Sequence, residues 1–111
     1  MFHIPLVEYD DDWDCWVESG YDESIGSGVK NESVCCDDTN NGFFDLIKLL
    51  GSTKNVICGH EHLNTYSIIY QGVKLTYAIK SSEASYFNIH IQGGTILSIS
   101  SSGVEIEKYI T

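Results

Sequence analysis

From residue 54 onward the chain is a series of short β-branched and aromatic segments separated by glycine or small polar residues, and this pattern constrains the fold more than any other. "KNVICG" is a brief apolar run between turn formers, as expected for a strand covered on both faces. It is followed by "TYSIIYQG", "VKLTYAIK", "YFNIHIQGG", "TILSISSSG" and "VEIEKYI". Repeats of this kind predict an antiparallel meander, with hairpin turns at Gln71-Gly72, Gly93-Gly94 and Ser102-Gly103. "VEIEKYI" alternates as a half-exposed strand should.

Upstream of residue 54 the signals are fewer. "FFDLIKLLGS" places Phe43, Leu46, Ile47, Leu49 and Leu50 in a helical stripe that stops at Gly51, so one helix is expected over 43–50. Residues 1–7 read as a short apolar strand ending at Pro5. Residues 9–41 are rich in acids and turn formers with scattered aromatics and no sustained period, so an irregular acidic loop is expected, partly packed through Trp13, Trp16 and Tyr21. At 111 residues one domain and one core follow, in an α+β class dominated by β structure.

Charge is unevenly distributed. Residues 1–45 carry a net −11 and residues 46–111 a net +1, for −10 overall, with no arginine anywhere. This balance argues against nucleic acid or anionic membrane as a partner, because phosphate recognition leans on Lys and Arg. No apolar run reaches the length of a membrane span, and "MFHIPLVEYDDD" has neither the basic nor the long apolar part of a signal peptide. Cys15, Cys35, Cys36 and Cys58 lack CxxC spacing, which points to free thiols in a reducing, cytoplasmic setting. The acids Asp10, Asp11, Asp12 and Asp14 lack the calcium-loop pattern and read as a solvated charged segment.

Chemistry concentrates in the histidines. In "CGHEH" His60 and His62 stand at i and i+2, positions that share one side of an extended segment. Two neutral imidazoles converging at the end of a buried strand would suit Zn, Fe or Mn. The same residues also read as polar groups in a loop. His3 sits near the end of the first expected strand, and His90 alternates with Ile89 and Ile91 on an outer strand face.

The order of these pieces resembles the calcineurin-like metallophosphoesterases, most closely the purple acid phosphatase branch. "HIPLVEY" at 3–9, "NESVCC" at 31–36, "NGFFDLIKLLG" at 41–51 and "VICGHEHLNTY" at 56–66 follow that branch's "HIPLPEY", "GE.VCC", "NSGLFDAL" and "CGHDH.N.Y". "YQGVKLTYAIKSSEASY" at 70–86 is similar to its "YNGIKLTYGLKTGYGGY", and "GGTILSIS" fits its last hairpin. Glu61 replaces an aspartate, and "SSEAS" replaces a glycine-rich stretch.

The resemblance implies that His3, His60 and His62 are metal ligands in a dinuclear centre of Fe, Zn or Mn that hydrolyses phosphate monoesters, with His3 and His60 on one metal and His62 on the other. It also implies that the chain is the C-terminal half of a four-layer α/β/β/α sandwich. The family's DxH, GDxxD and GNHE motifs have no counterpart here; "YDDDWD" matches none of them. Three histidines cannot serve two metals, so the expectation is an incomplete site, inactive on its own, that would need an upstream segment to act on a phosphate ester. The alternative is a non-catalytic, acidic, β-rich interaction module.

Overall fold

The structure is a computed structural model that describes residues 1, 3–36, 42–79 and 93–110. The expected strand around His90 and the stretch "KSSEAS" lie outside the described residues. The class is α+β, with two helices and two sheets among the described residues.

The N-terminal part departs most from expectation. Residues 3–7 form no strand; the chain bends and turns directly into a helix, α1, Glu8–Glu18. The carbonyls of Leu6 and Val7 already accept from the N–H groups of Tyr9 and Asp10, at 3.0 Å each, so they are committed to a helix start. The acidic stretch that looked irregular therefore begins inside an eleven-residue helix. Glu8, Asp10 and Asp11 fall in the first turn, where negative charge is favoured. Tyr9, Asp12 and Trp16 lie on the buried face.

The helix ends in a Schellman motif. Gly20 N–H donates to Val17 O and Tyr21 N–H to Trp16 O, both at 3.0 Å, with Gly20 at φ +77°. One of the four acids expected to be solvated is thus deep in the protein: Asp12 is 0 % exposed, while Asp10, Asp11 and Asp14 remain outside.

The second helix, α2, Phe43–Leu50, matches its expected span between Gly42 and Gly51, both with positive φ. Its buried side chains are Phe44 and Ile47. Phe43, Leu46, Leu49 and Leu50 face outward, so the five-residue stripe read from the sequence is largely an exposed one.

A four-stranded sheet joins β1, Gly26–Ser27; β2, Asn55–Cys58; β3, Ser67–Tyr70; and β4, Val73–Tyr77, in the order β1-β3-β4-β2. The β3–β4 hairpin turns on Gln71 and Gly72, both with positive φ, as a two-residue loop requires. β2, which precedes the expected meander, runs parallel to β4, while β3–β4 and β5–β6 pair antiparallel as expected. Parallel pairing places the loop after β2 beside the end of β4, and that loop carries the histidines. In β2, Val56, Ile57 and Cys58 are all buried, as expected of a strand covered on both faces.

A separate two-stranded sheet pairs β5, Gly93–Ser100, with β6, Gly103–Ile110. Gly93 and Gly94 lie inside β5 rather than in a turn, and the hairpin turns at Ser101-Ser102. Among the described residues two bonds tie this sheet to the first part: Ile79 N–H to Thr95 Oγ1 at 3.0 Å, and Lys108 Nζ to Thr65 O. β6 alternates in exposure as its sequence suggests.

Tyr9 links helix and sheet at the centre of the core. Its hydroxyl is 3.0 Å from the carbonyls of Val56 and Thr76 and accepts from Thr76 N–H at 3.2 Å, touching both β2 and β4. Tyr66 donates to Tyr9 O at 2.7 Å. Around them pack Trp16, Phe44, Ile47, Ile68, Val73, Leu75 and Tyr77. Each such side chain contributes roughly 1.5–3 kcal/mol by leaving water.

Candidate metal centre

The end of β2 organises the site. Gly59 N–H donates to His3 O at 3.1 Å, which pins the start of the chain beside the last strand residue, Cys58. The next residue, His60, has φ +72°, and Glu61 N–H bonds back to Gly59 O at 2.9 Å. A two-residue bond across a positive φ is the rarer and more strained form of the γ-turn. Surrounding contacts must hold it.

The turn aims His60 at His3. Nδ1 of His60 lies 3.3 Å from Nε2 of His3, with ring centroids 5.0 Å apart and planes at 82°. Two nitrogens bound to one tetrahedral ion at about 2.0–2.1 Å would stand about 3.3 Å apart. The pair thus has the spacing of two ligands of one metal, and equally that of a ring N–H donating to a ring nitrogen. A transition metal fits these two donors, which supply half of a four-coordinate shell.

His62 is half-buried two residues further on. The same-side argument assumed an extended segment, and the left-handed turn at His60 breaks that premise. Among the described residues no group of three or more His, Cys, Asp or Glu is placed to hold a metal. Of the three predicted ligands, the structure joins His3 with His60.

The intervening Glu61 turns inward. It is buried; one carboxylate oxygen accepts from Cys35 N–H and the other has no partner among the described residues. Burial raises its pKa, and the bond from Cys35 opposes that shift. Glu61 is an anchor for the loop.

The acidic stretch supplies further anchors. Asn64 Oδ1 accepts from the N–H groups of Asn31 and Glu32 at 2.9 and 3.1 Å, and its Nδ2 donates to Glu32 O at 3.1 Å. Glu32 Oε1 accepts from Leu63 N–H at 3.0 Å. Val29 and Thr65 exchange bonds at 3.0 and 3.2 Å. Gly28, at φ +102°, passes so close that a Cβ there would come 2.5 Å from Tyr66 Cα. Residues 28–35 therefore clamp the histidine loop from one side, and Lys108 holds Thr65 O from β6. These supports were missed as functional residues, although the spacing of "NESVCC" and "GHEHLN" carried the signal.

Cysteine chemistry is not favoured here. No disulfide joins the four cysteines, and burial pushes the Cys58 thiol up to about 12, so it stays protonated at neutral pH.

Two plant proteins from Arabidopsis thaliana resemble this chain. "Probable inactive purple acid phosphatase 14" is 38% identical over 77 residues, and "Probable inactive purple acid phosphatase 29" is 33% identical over 76 residues. Each match covers 68% of this chain. The chain is similar to purple acid phosphatase-like proteins of the calcineurin-like metallophosphoesterase superfamily. It spans only 17–18% of the length of these metallophosphoesterase relatives. No family model and no solved structure matches it. The paired imidazoles of His3 and His60 thus lie in a chain similar to the purple acid phosphatases, a family that generally relies on metal cofactors.

Proposed function

We propose that this chain carries the histidine portion of a dinuclear phosphoesterase centre. In this reading His3 and His60 share one transition metal (Fe, Zn or Mn), His62 serves a second, and the 111 residues alone do not hydrolyse phosphate esters. The observation that carries it is the 3.3 Å separation of the two ring nitrogens, produced by the turn at His60 and the bond from Gly59 to His3.

When bound, such metals polarise a phosphoryl oxygen and lower the pKa of water for attack on phosphorus. The chain's own part is to orient the imidazoles. The clamp of Glu32, Glu61 and Asn64 performs that positioning. Two converging imidazoles fall short of the roughly four ligands each metal needs, which is why turnover is not expected of the chain alone. The two relatives, named inactive, agree with this. We place the two sheets in the C-terminal half of a four-layer α/β/β/α sandwich, a reading supported by the family and the α+β build.

Calorimetric titration with Zn²⁺ and Mn²⁺, paired with an aryl phosphate hydrolysis assay, tests the proposal. One weakly bound ion and no turnover are expected. Tight binding of two ions or robust hydrolysis would overturn the inactive reading.

One observation favours a second reading, the non-catalytic interaction module. Ile99 on β5 is 79 % exposed and Tyr109 on β6 is 53 % exposed, on a two-stranded sheet. A variant lacking His3, His60 and His62 that keeps full metal affinity and metal-dependent stability would favour this reading over the first.

A further inference from the structure

A second concave feature lies away from the histidines. Past the C-terminal end of α1 the chain forms an open cleft of about 500 Å³, lined by Trp16, Tyr21, Glu23, Gly26, Ser27 and Gly28. Trp16 and Tyr21 stand with ring centroids 5.2 Å apart and planes at 85°, like adjoining walls of a box. Both walls are fixed in place. Trp16 Nε1 donates to Asp22 O at 2.9 Å, and Tyr21 is held at φ +59° by the bond from its N–H to Trp16 O.

The glycines leave the cleft without side chains where they line it. The Gly26 backbone packs against the Trp16 ring, where a Cβ would come within 2.7 Å, so Trp16, 6 % exposed, meets the cleft only through the part of its ring that remains uncovered. Half-exposed Tyr21 presents ring surface to solvent.

The local field is negative. The cleft adjoins the C-terminal end of α1, whose last turn has no basic residue, and Glu23 is the charged group in its lining. Lys74 lines the neighbouring smaller cavity together with Glu23, but not this cleft. Perpendicular aromatic faces beside a carboxylate and a helix C-terminus are how proteins recognise bulky, weakly hydrated cations.

We propose that this cleft binds a small quaternary-ammonium ligand, with Trp16 and Tyr21 contributing the aromatic faces and Glu23 the counter-charge. The inference is independent of the histidine centre.

Tryptophan fluorescence at constant ionic strength tests it, with choline as the probe and 3,3-dimethylbutan-1-ol as its uncharged isostere. Choline should bind saturably and the isostere about fivefold more weakly or worse, the size of a cation–π contribution. Tyr21→Gly removes one wall and its ring contacts with Trp13 and Trp16 while suiting the positive φ, so it should lower the unfolding midpoint only slightly and weaken choline by about fivefold. Glu23→Gln, at an exposed site, should weaken choline and spare the isostere. Equal affinity for choline and the isostere, no saturable signal, or full affinity in both variants would overturn the proposal.

Discussion

Asp12 places a carboxyl group where water cannot reach it. It is 0 % exposed on the inner face of α1, and among the described residues neither oxygen has a partner at good hydrogen-bond geometry. Desolvation therefore raises its pKa from the ordinary 3.8 to about 9, with Asp10 and Asp11 adding to the rise and the Trp13 backbone and Lys30 opposing it. In the folded protein Asp12 is a neutral acid at pH 7; in the unfolded chain it is ionised.

The sign follows from proton counting. Between about pH 4 and pH 9 the folded state holds the extra proton, so stability falls as pH rises across that window. Each pH unit is worth about 1.4 kcal/mol, so the loss reaches about 4 kcal/mol by pH 7. That is a large share of the 5–15 kcal/mol by which domains are ordinarily stable.

Asp12→Leu fills similar space without a charge. Urea unfolding followed by tryptophan fluorescence should find the variant more stable by about 4 kcal/mol at pH 7 and by only about 1–2 kcal/mol at pH 5. Asp12→Asn should likewise lose the pH slope while keeping a buried polar group without a partner. A gap between wild type and Asp12→Leu that stays constant from pH 5 to pH 8 would refute the argument, since it would mean that Asp12 is ionised or solvated in the folded protein.

Two further outcomes follow from the core and from β6. Tyr9→Phe leaves Val56 O and the Thr76 backbone without the hydroxyl, and should cost about 1–3 kcal/mol by the same urea assay; a loss under 0.5 kcal/mol would show the hydroxyl to be replaceable. Lys108 has the opposite pH sign to Asp12. Burial, with Lys74 adding, lowers its pKa from 10.5 to about 8, so native stability should rise as pH climbs through that interval, by at most about 1.4 kcal/mol per unit, and Lys108→Met should abolish the rise.

The sequence and the structure agree where local chemistry decides. β3 and β4 are β-branched and aromatic runs joined by Gln71-Gly72, and α2 is an apolar run between two glycines. α1 was obscured because Asp10, Asp11 and Asp12 are poor helix formers. Their place in the first turns and the stop signal at Gly20 outweigh that propensity, and the Tyr9–Trp13–Trp16 spacing is helical. The parallel partnership of β2 with β4 joins segments whose alternation says nothing about direction. For the site, the approach of His60 to His3 came from family resemblance and not from spacing. The spacing argument for His60 and His62 relied on an extended backbone that His60 does not adopt. Nor could the pattern of acids reveal that Glu61 and Asp12 turn inward while their neighbours face water.

The central claim is that His3 and His60 act together on one ion. A calorimetric mutant cycle with Zn²⁺, comparing wild type, His3→Ala, His60→Ala and the double variant, measures this directly. The account predicts one ion per chain, a similar loss of affinity in each single variant, and little further loss in the double variant, because either substitution already removes the pair. Affinity unchanged by His3→Ala, or losses that simply add, would contradict it.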